Sequence, residues 1–181
     1  YLKPTLELYR SLYSFDESAV EHFQHKRTIR SYSGTFELDR LTFDIDKGKN
    51  SKDKVMTDIR YFLHLLEDKG ADPDIMRVWF SGRGFHVEIP ELYGFGASKD
   101  TPEIVKRTIS KEFGAVADSI YDYARLIRVG YAYNMKSKLY KTPLKTSEVH
   151  NLDYNEIVEL SRKYCRKDFQ HKYLVEVEPI W

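Results

Sequence analysis

The stretch LTFDIDKGKN, residues 41–50, places Asp44 and Asp46 one residue apart inside an apolar run. Side chains on a strand alternate between two faces. Leu41, Phe43 and Ile45 are therefore expected to enter a core, with Thr42, Asp44 and Asp46 on the opposite face. The two acids stand about 7 Å apart between α-carbons, from a rise of ~3.3 Å per residue. Two anions at that range repel until one takes up a proton or a cation sits between them. A divalent cation meets this requirement, since Mg²⁺ is typically held by one or two carboxylates plus substrate phosphates. A solvated strand edge or a salt-bridged pair carries the same Asp-x-Asp pattern.

Outward from this strand, residues 51–70 form the clearest helix. Val55, Ile59, Phe62 and Leu66 fall on one face and Gly70 ends it. Upstream, residues 14–27 read as a helix with Ser14 as cap and Glu17 completing a capping box. Residues 31–46 suggest two strands around a Gly. Downstream, RVWF and FHVEI flank the short turn SGRG as a hairpin. Residues 101–113 are expected to be helical, with Thr101 as cap and Pro102 at the first position. RLIRV reads as a strand, LYKTPL as another ending at Pro143, and residues 153–165 as a closing helix with Asp153 as cap and Glu156 in its box. Helices and strands alternate while hairpins are also present, which points to an α/β (α+β) class with a mixed sheet and helices on one or both faces.

The 181-residue chain suffices for one domain with a real core, or at most two small ones. Lys and Arg number 29 against 28 acidic residues, so no global field draws the protein to nucleic acid or membrane, and any such site is a local patch. The single cysteine, Cys165, excludes an internal disulfide framework and a Cys-rich zinc cluster. It fits a reducing compartment, and the cytoplasm is the expected location. No run approaches the roughly 18 apolar residues of a membrane span. The chain opens on Tyr1 and ends at Trp181, as expected of a domain excised from something longer.

Two more constellations carry chemistry. In SGRGFHV, Gly82 and Gly84 allow a sharp turn and close approach of a ligand. Ser81, Arg83 and His86 are expected to converge there with turn amides as an anion cradle. An ordinary hairpin with a surface His has the same composition. The third lies between Tyr123 and Ser147, which contains no acidic residue. Arg125, Arg128, Lys136, Lys138, Lys141 and Lys145 are interleaved there with Tyr123, Tyr131, Tyr133 and Tyr140. Basic side chains among aromatics suit phosphates and stacked bases. A solvated basic face reads the same way.

Taken in this order, the motifs resemble the archaeo-eukaryotic primase superfamily of primases and primase-polymerases. The matching elements are a strand ending in Asp44-x-Asp46, the SGRGFHV turn and strand, and Asp118 followed by RLIRV, a small-residue turn, Asn134, Lys136 and LYKTPL. They span residues 41–144. The resemblance implies a small α/β unit joined to an RRM-like mixed sheet, with the site in the cleft between. It implies that Asp44, Asp46 and Asp118 bind two Mg²⁺ or Mn²⁺ ions. Ser81, Gly82, Arg83, Gly84 and His86 would then hold a nucleoside triphosphate, dNTP or NTP, and Arg128, Asn134 and Lys136 would form the basic edge of that pocket. The implied partners are a DNA template and primer and other domains of a parent chain.

Some features depart from the pattern. VGYAYN replaces the usual Pro-Gly-Ser before the His or Asn. A short spacing before RLIR leaves Asp122 as a rival to Asp118. His150 and His171 read as surface residues. YRSLYSFD and SKLYKTPL look most like the mobile-element branch, of phage, plasmid or CRISPR-associated type. Two other activities use the same features: a non-catalytic module gripping single strands on an RRM-like sheet, and a metal-dependent nuclease.

Overall fold

The computed structural model describes residues 6–46, 48, 50–90, 93–164 and 166; Cys165 and His171 lie outside them. In chain order the elements begin with β1 (Tyr9–Ser11), β2 (Ser14–Phe15), α1 (Ser18–Lys26), β3 (Phe36–Glu37) and β4 (Arg40–Ile45). Next come α2 (Lys52–Asp68), β5 (Arg77–Phe80), β6 (Phe85–Pro90) and α3 (Thr101–Phe113). The described part closes with β7 (Leu126–Arg128), β8 (Tyr133–Asn134), β9 (Leu139–Tyr140), β10 (Thr142–Leu144), α4 (Thr146–Asn151) and α5 (Tyr154–Leu160).

The central sheet has the order β10-β5-β6-β4. The α+β class holds, but the expected mixture of strand directions does not: every pairing among the described strands is antiparallel. The crossover through α2 returns the chain one strand away from β4, and the hairpin then inserts β6 between β4 and β5. Asp118 adds a single antiparallel bridge on the free side of β4.

Alternation along β4 produces the expected two faces. Leu41, Phe43 and Ile45 are buried against the helices, and the Phe43 ring meets Phe62 of α2 at 4.9 Å and Phe113 of α3 at 5.0 Å. The Ser51 hydroxyl accepts from the Lys54 N–H to start α2. Gly70 and Ala71 close it, donating to the carbonyls of Glu67 and Leu66 at 2.8 and 3.0 Å. Among the described residues no helix is long and apolar enough to cross a membrane.

Competing partners shift several of the expected caps and strand bounds. Ser14 pairs in β2 and does not cap α1, which starts at Ser18; the Asp16 carboxylate takes the Ser18 N–H and hydroxyl instead. In α3, Thr101 is the first helical residue and not the cap, because its hydroxyl is engaged by the Ser98 N–H and the Gly96 carbonyl. LYKTPL splits into β9 and β10, because Lys141 turns out of the first pairing to bond the loop at Ala132. Asp153 and Glu156 form the expected box at α5, which ends at Leu160, short of the expected extent.

Candidate active site

Directly opposed residues in an antiparallel sheet share a face. Asp118 bridges Asp44, Asp44 opposes His86, and His86 opposes Trp79, so one row of side chains crosses the polar face. The Asp118 N–H donates to the Asp44 carbonyl at 2.8 Å, fixing the two acids side by side. Asp46 lies past the end of β4 and is exposed.

The antiparallel ribbon of β1 and β7 covers this face, pairing Tyr9 with Arg128 and Ser11 with Leu126. Thr42, Trp79, His86 and Glu88 on this face are all buried, Thr42 with help from Tyr121 and Trp79 from Tyr131 and Lys141. Among the described residues this face of the central sheet is therefore not open for stacking bases. Between sheet and ribbon lies a cleft of about 160 Å³ lined by Tyr9, Asp44, His86, Arg125, Leu126 and Arg128, among others.

Electrostatics in the cleft follow from burial. The Asp44 carboxyl is pushed up to about 6, first by desolvation and then by the charges of Asp46 and Asp118. The His86 imidazole is held well below its ordinary range by burial and then by Lys141, Arg128 and Arg125. His86 Nε2 is 3.6 Å from Asp44 Oδ1. With a neutral imidazole this contact is not an ion pair, and it is too long for a hydrogen bond.

The SGRG turn closes on itself through the Ser81 N–H to the Gly84 carbonyl at 2.8 Å. Gly82 has φ +101, and a Cβ there would stand 2.4 Å from Ser137 Oγ. A Cβ on Gly84 would stand 2.2 Å from the Ile45 carbonyl oxygen and 2.8 Å from Asp46 Cα. Gly84 thus lets the turn press against the strand end that carries the acid pair, and Gly82 lets it press against Ser137 between β8 and β9.

The expected convergence of Ser81, Arg83 and His86 is partial. His86 faces the cleft, whereas the Ser81 hydroxyl donates to the Gly84 carbonyl and the exposed Arg83 donates to the Gly48 carbonyl at 3.2 Å. Arg128 and Asn134 do meet the turn: both donate to the Ser81 carbonyl, at 3.4 and 3.1 Å. Arg128 also donates to the Tyr9 hydroxyl at 3.0 Å. Lys136 is exposed between β8 and β9, its N–H bonded to Asn134 Oδ1.

Of the rival acids, Asp118 stands beside Asp44, while the Asp122 carboxylate is 2.6 Å from Lys106 Nζ and held low by that contact. The basic segment divides. Lys136 and Lys138 are exposed, but Lys141 is 1% exposed and points inward. Tyr9, Arg125 and Glu88 also belong to the site or its support. Alternation along FHVEI puts Glu88 on the face of His86, whereas no comparable signal marks Tyr9, which reaches the cleft through the β1/β7 pairing.

For divalent cations the donor chemistry fits: hard carboxylate oxygens, with the Asp44 anion destabilised by burial and then by its acidic neighbours. Among the described residues no three His, Cys, Asp or Glu side chains are grouped to hold an ion by themselves. The arrangement suits an open site that draws further ligands from phosphates and water.

No family model matches the chain, and no curated protein matches it. Among solved structures, its fold is similar to the polymerase domain from Mycobacterium tuberculosis Ligase D in complex with DNA. The TM-score is 0.51 at 16% identity, over 84% of this chain and 58% of that chain. This chain thus spans a little over half the length of that structure, and at such identity the likeness is one of fold.

Proposed function

We propose that the chain is a template-directed nucleotidyltransferase of the archaeo-eukaryotic primase type, a DNA primase or DNA polymerase. The supporting observation is the row Asp118, Asp44 and His86, set beside a glycine turn gripped by Arg128 and Asn134. In the reaction a 3′-hydroxyl attacks the α-phosphorus of a nucleoside triphosphate, and pyrophosphate leaves. Asp44, Asp46 and Asp118 would hold two Mg²⁺ or Mn²⁺ ions, which when bound lower the pKa of the attacking hydroxyl and steady the phosphate charge.

The remaining work is positioning and charge stabilisation. Arg128 presents a fixed cation at the cleft. His86, kept neutral, contributes ring hydrogen bonding without adding charge. The SGRG turn sets the place of the phosphates relative to Asp46. The hairpin of β8 and β9, with exposed Lys136 and Lys138, runs beside strand phosphates.

Incubation with labelled primer, template, dNTPs or NTPs and Mg²⁺ or Mn²⁺ tests this. Extension is expected, and Asp44→Ala abolishes it while the fold persists. Retention of the strand without extension marks a binding module, and shortened strands mark a nuclease; either outcome refutes the proposal.

A further inference from the structure

Lys141 lies inside the protein behind the cleft. Its Nζ donates to the Arg128 carbonyl at 2.8 Å and lies 3.5 Å from Glu88 Oε1. It also sits 5.2 Å from the centroid of the Trp79 ring. Burying an ammonium is costly, and burial pushes this one down to about 8 against the pull of Glu88. Glu88, two residues along β6 from His86, also takes Arg10 of β1 at 3.5 Å. The β1/β7 ribbon is therefore tied to one buried carboxylate twice. Arg10 makes one tie, and Lys141, through the backbone of Arg128, makes the other.

Replacing a buried ion pair with apolar side chains of similar volume is often neutral or stabilising. Stability alone is then a poor reason for a lysine where a methionine would pack against Trp79. What an apolar side chain could not do is hold the Arg128 carbonyl. The Arg128 guanidinium leaves from that same residue toward the Ser81 carbonyl and Tyr9.

We propose that Lys141, anchored by Glu88, is a positioning residue that clamps the backbone of Arg128 and so sets its guanidinium over the SGRG turn. The ligand that benefits, a nucleoside triphosphate, rests on the polymerase reading; the clamp itself does not.

Two measurements on the full chain test it. In Lys141→Met, amide hydrogen exchange at residues 126–129 is expected to accelerate about tenfold more than in α2, because local opening is separable from global unfolding. Equal acceleration in both places overturns the clamp. The double variant Glu88→Gln/Lys141→Met leaves no unpaired buried ammonium or carboxylate, and shows the same split if the single variant is unfolded. Titration with dATP and Mg²⁺ gives the second measurement. Lys141→Met is expected to weaken binding about tenfold in the wild-type background and less than about twofold in Arg128→Ala, since residues acting through one another are non-additive. Equal weakening in both backgrounds also overturns the clamp. Failure of the wild type to bind either dATP or ATP sinks the polymerase reading and leaves the clamp to be judged by exchange.

Discussion

Substituting Gly84→Ala separates the spacing of the turn from its chemistry, because the alanine adds one methyl and removes no donor. The new Cβ would stand 2.2 Å from the Ile45 carbonyl oxygen and 2.8 Å from Asp46 Cα, where ordinary contact begins at 3.4 Å. Both neighbours are backbone at the end of β4, so no side chain can swing away. The turn and the strand end must part by about 1 Å, and overpacking of this kind costs ~1–3 kcal/mol. For a domain of this size each kcal/mol lowers Tm by roughly 2–4 °C. The same displacement moves Asp46 relative to the turn proposed to hold the phosphates, and a 1 Å misplacement can cost ~100-fold in rate. Primer extension at a temperature where circular dichroism shows the variant folded is the assay. Gly96→Ala is the control, since nothing lies within 4 Å of a Cβ there. A folded Gly84→Ala that extends primers at the wild-type rate would show that the turn does not set the distance between acids and phosphates.

Other substitutions separate the neighbouring roles. His86→Ala is expected to raise the KM for nucleotide with little change in template affinity; a fall in template affinity alone would place His86 on another surface. Asp118→Asn should abolish incorporation and Asp122→Asn should not, because Asp122 is engaged with Lys106 at 2.6 Å; equal losses would remove the distinction. Away from the cleft, hydrogen bonds from the Ser18 and Tyr32 hydroxyls hold the Asp16 carboxyl well below its ordinary range. A depressed carboxylate contributes stability above the unfolded value of ~3.9, and this is lost as pH falls below it. Asp16→Asn should therefore flatten the acid limb of the Tm–pH curve while leaving its neutral plateau level in slope. An unchanged acid limb would show that the network around Asp16 does not couple to folding.

Much of the fold was legible because its signals are local. The alternation of LTFDID, the apolar stripe of α2, the glycines of SGRG and the box at Asp153 are each decided by residues a few positions apart. The failures come where a competitor lies outside the window. Ser14 looked like a cap until pairing with Glu37 drew it into β2. A short strand such as β1 is made by a partner far along the chain, and no periodicity announces it.

The same division runs through the candidate site. The chain's own order of residues determined that Asp44 and Asp46 would share one face of their strand, and His86 and Glu88 one face of theirs, since a strand's alternation is a property of its backbone. Only tertiary structure decided which groups meet across that face. It set Asp118 beside Asp44, gave Asp122 to Lys106, brought Arg128 and Asn134 to the Ser81 carbonyl, and turned Lys141 from an apparent surface cation into a buried one. The physical reason is that charge and hydrogen-bond partners are chosen by distance in space and by how far water is excluded, and neither is a function of separation along the chain.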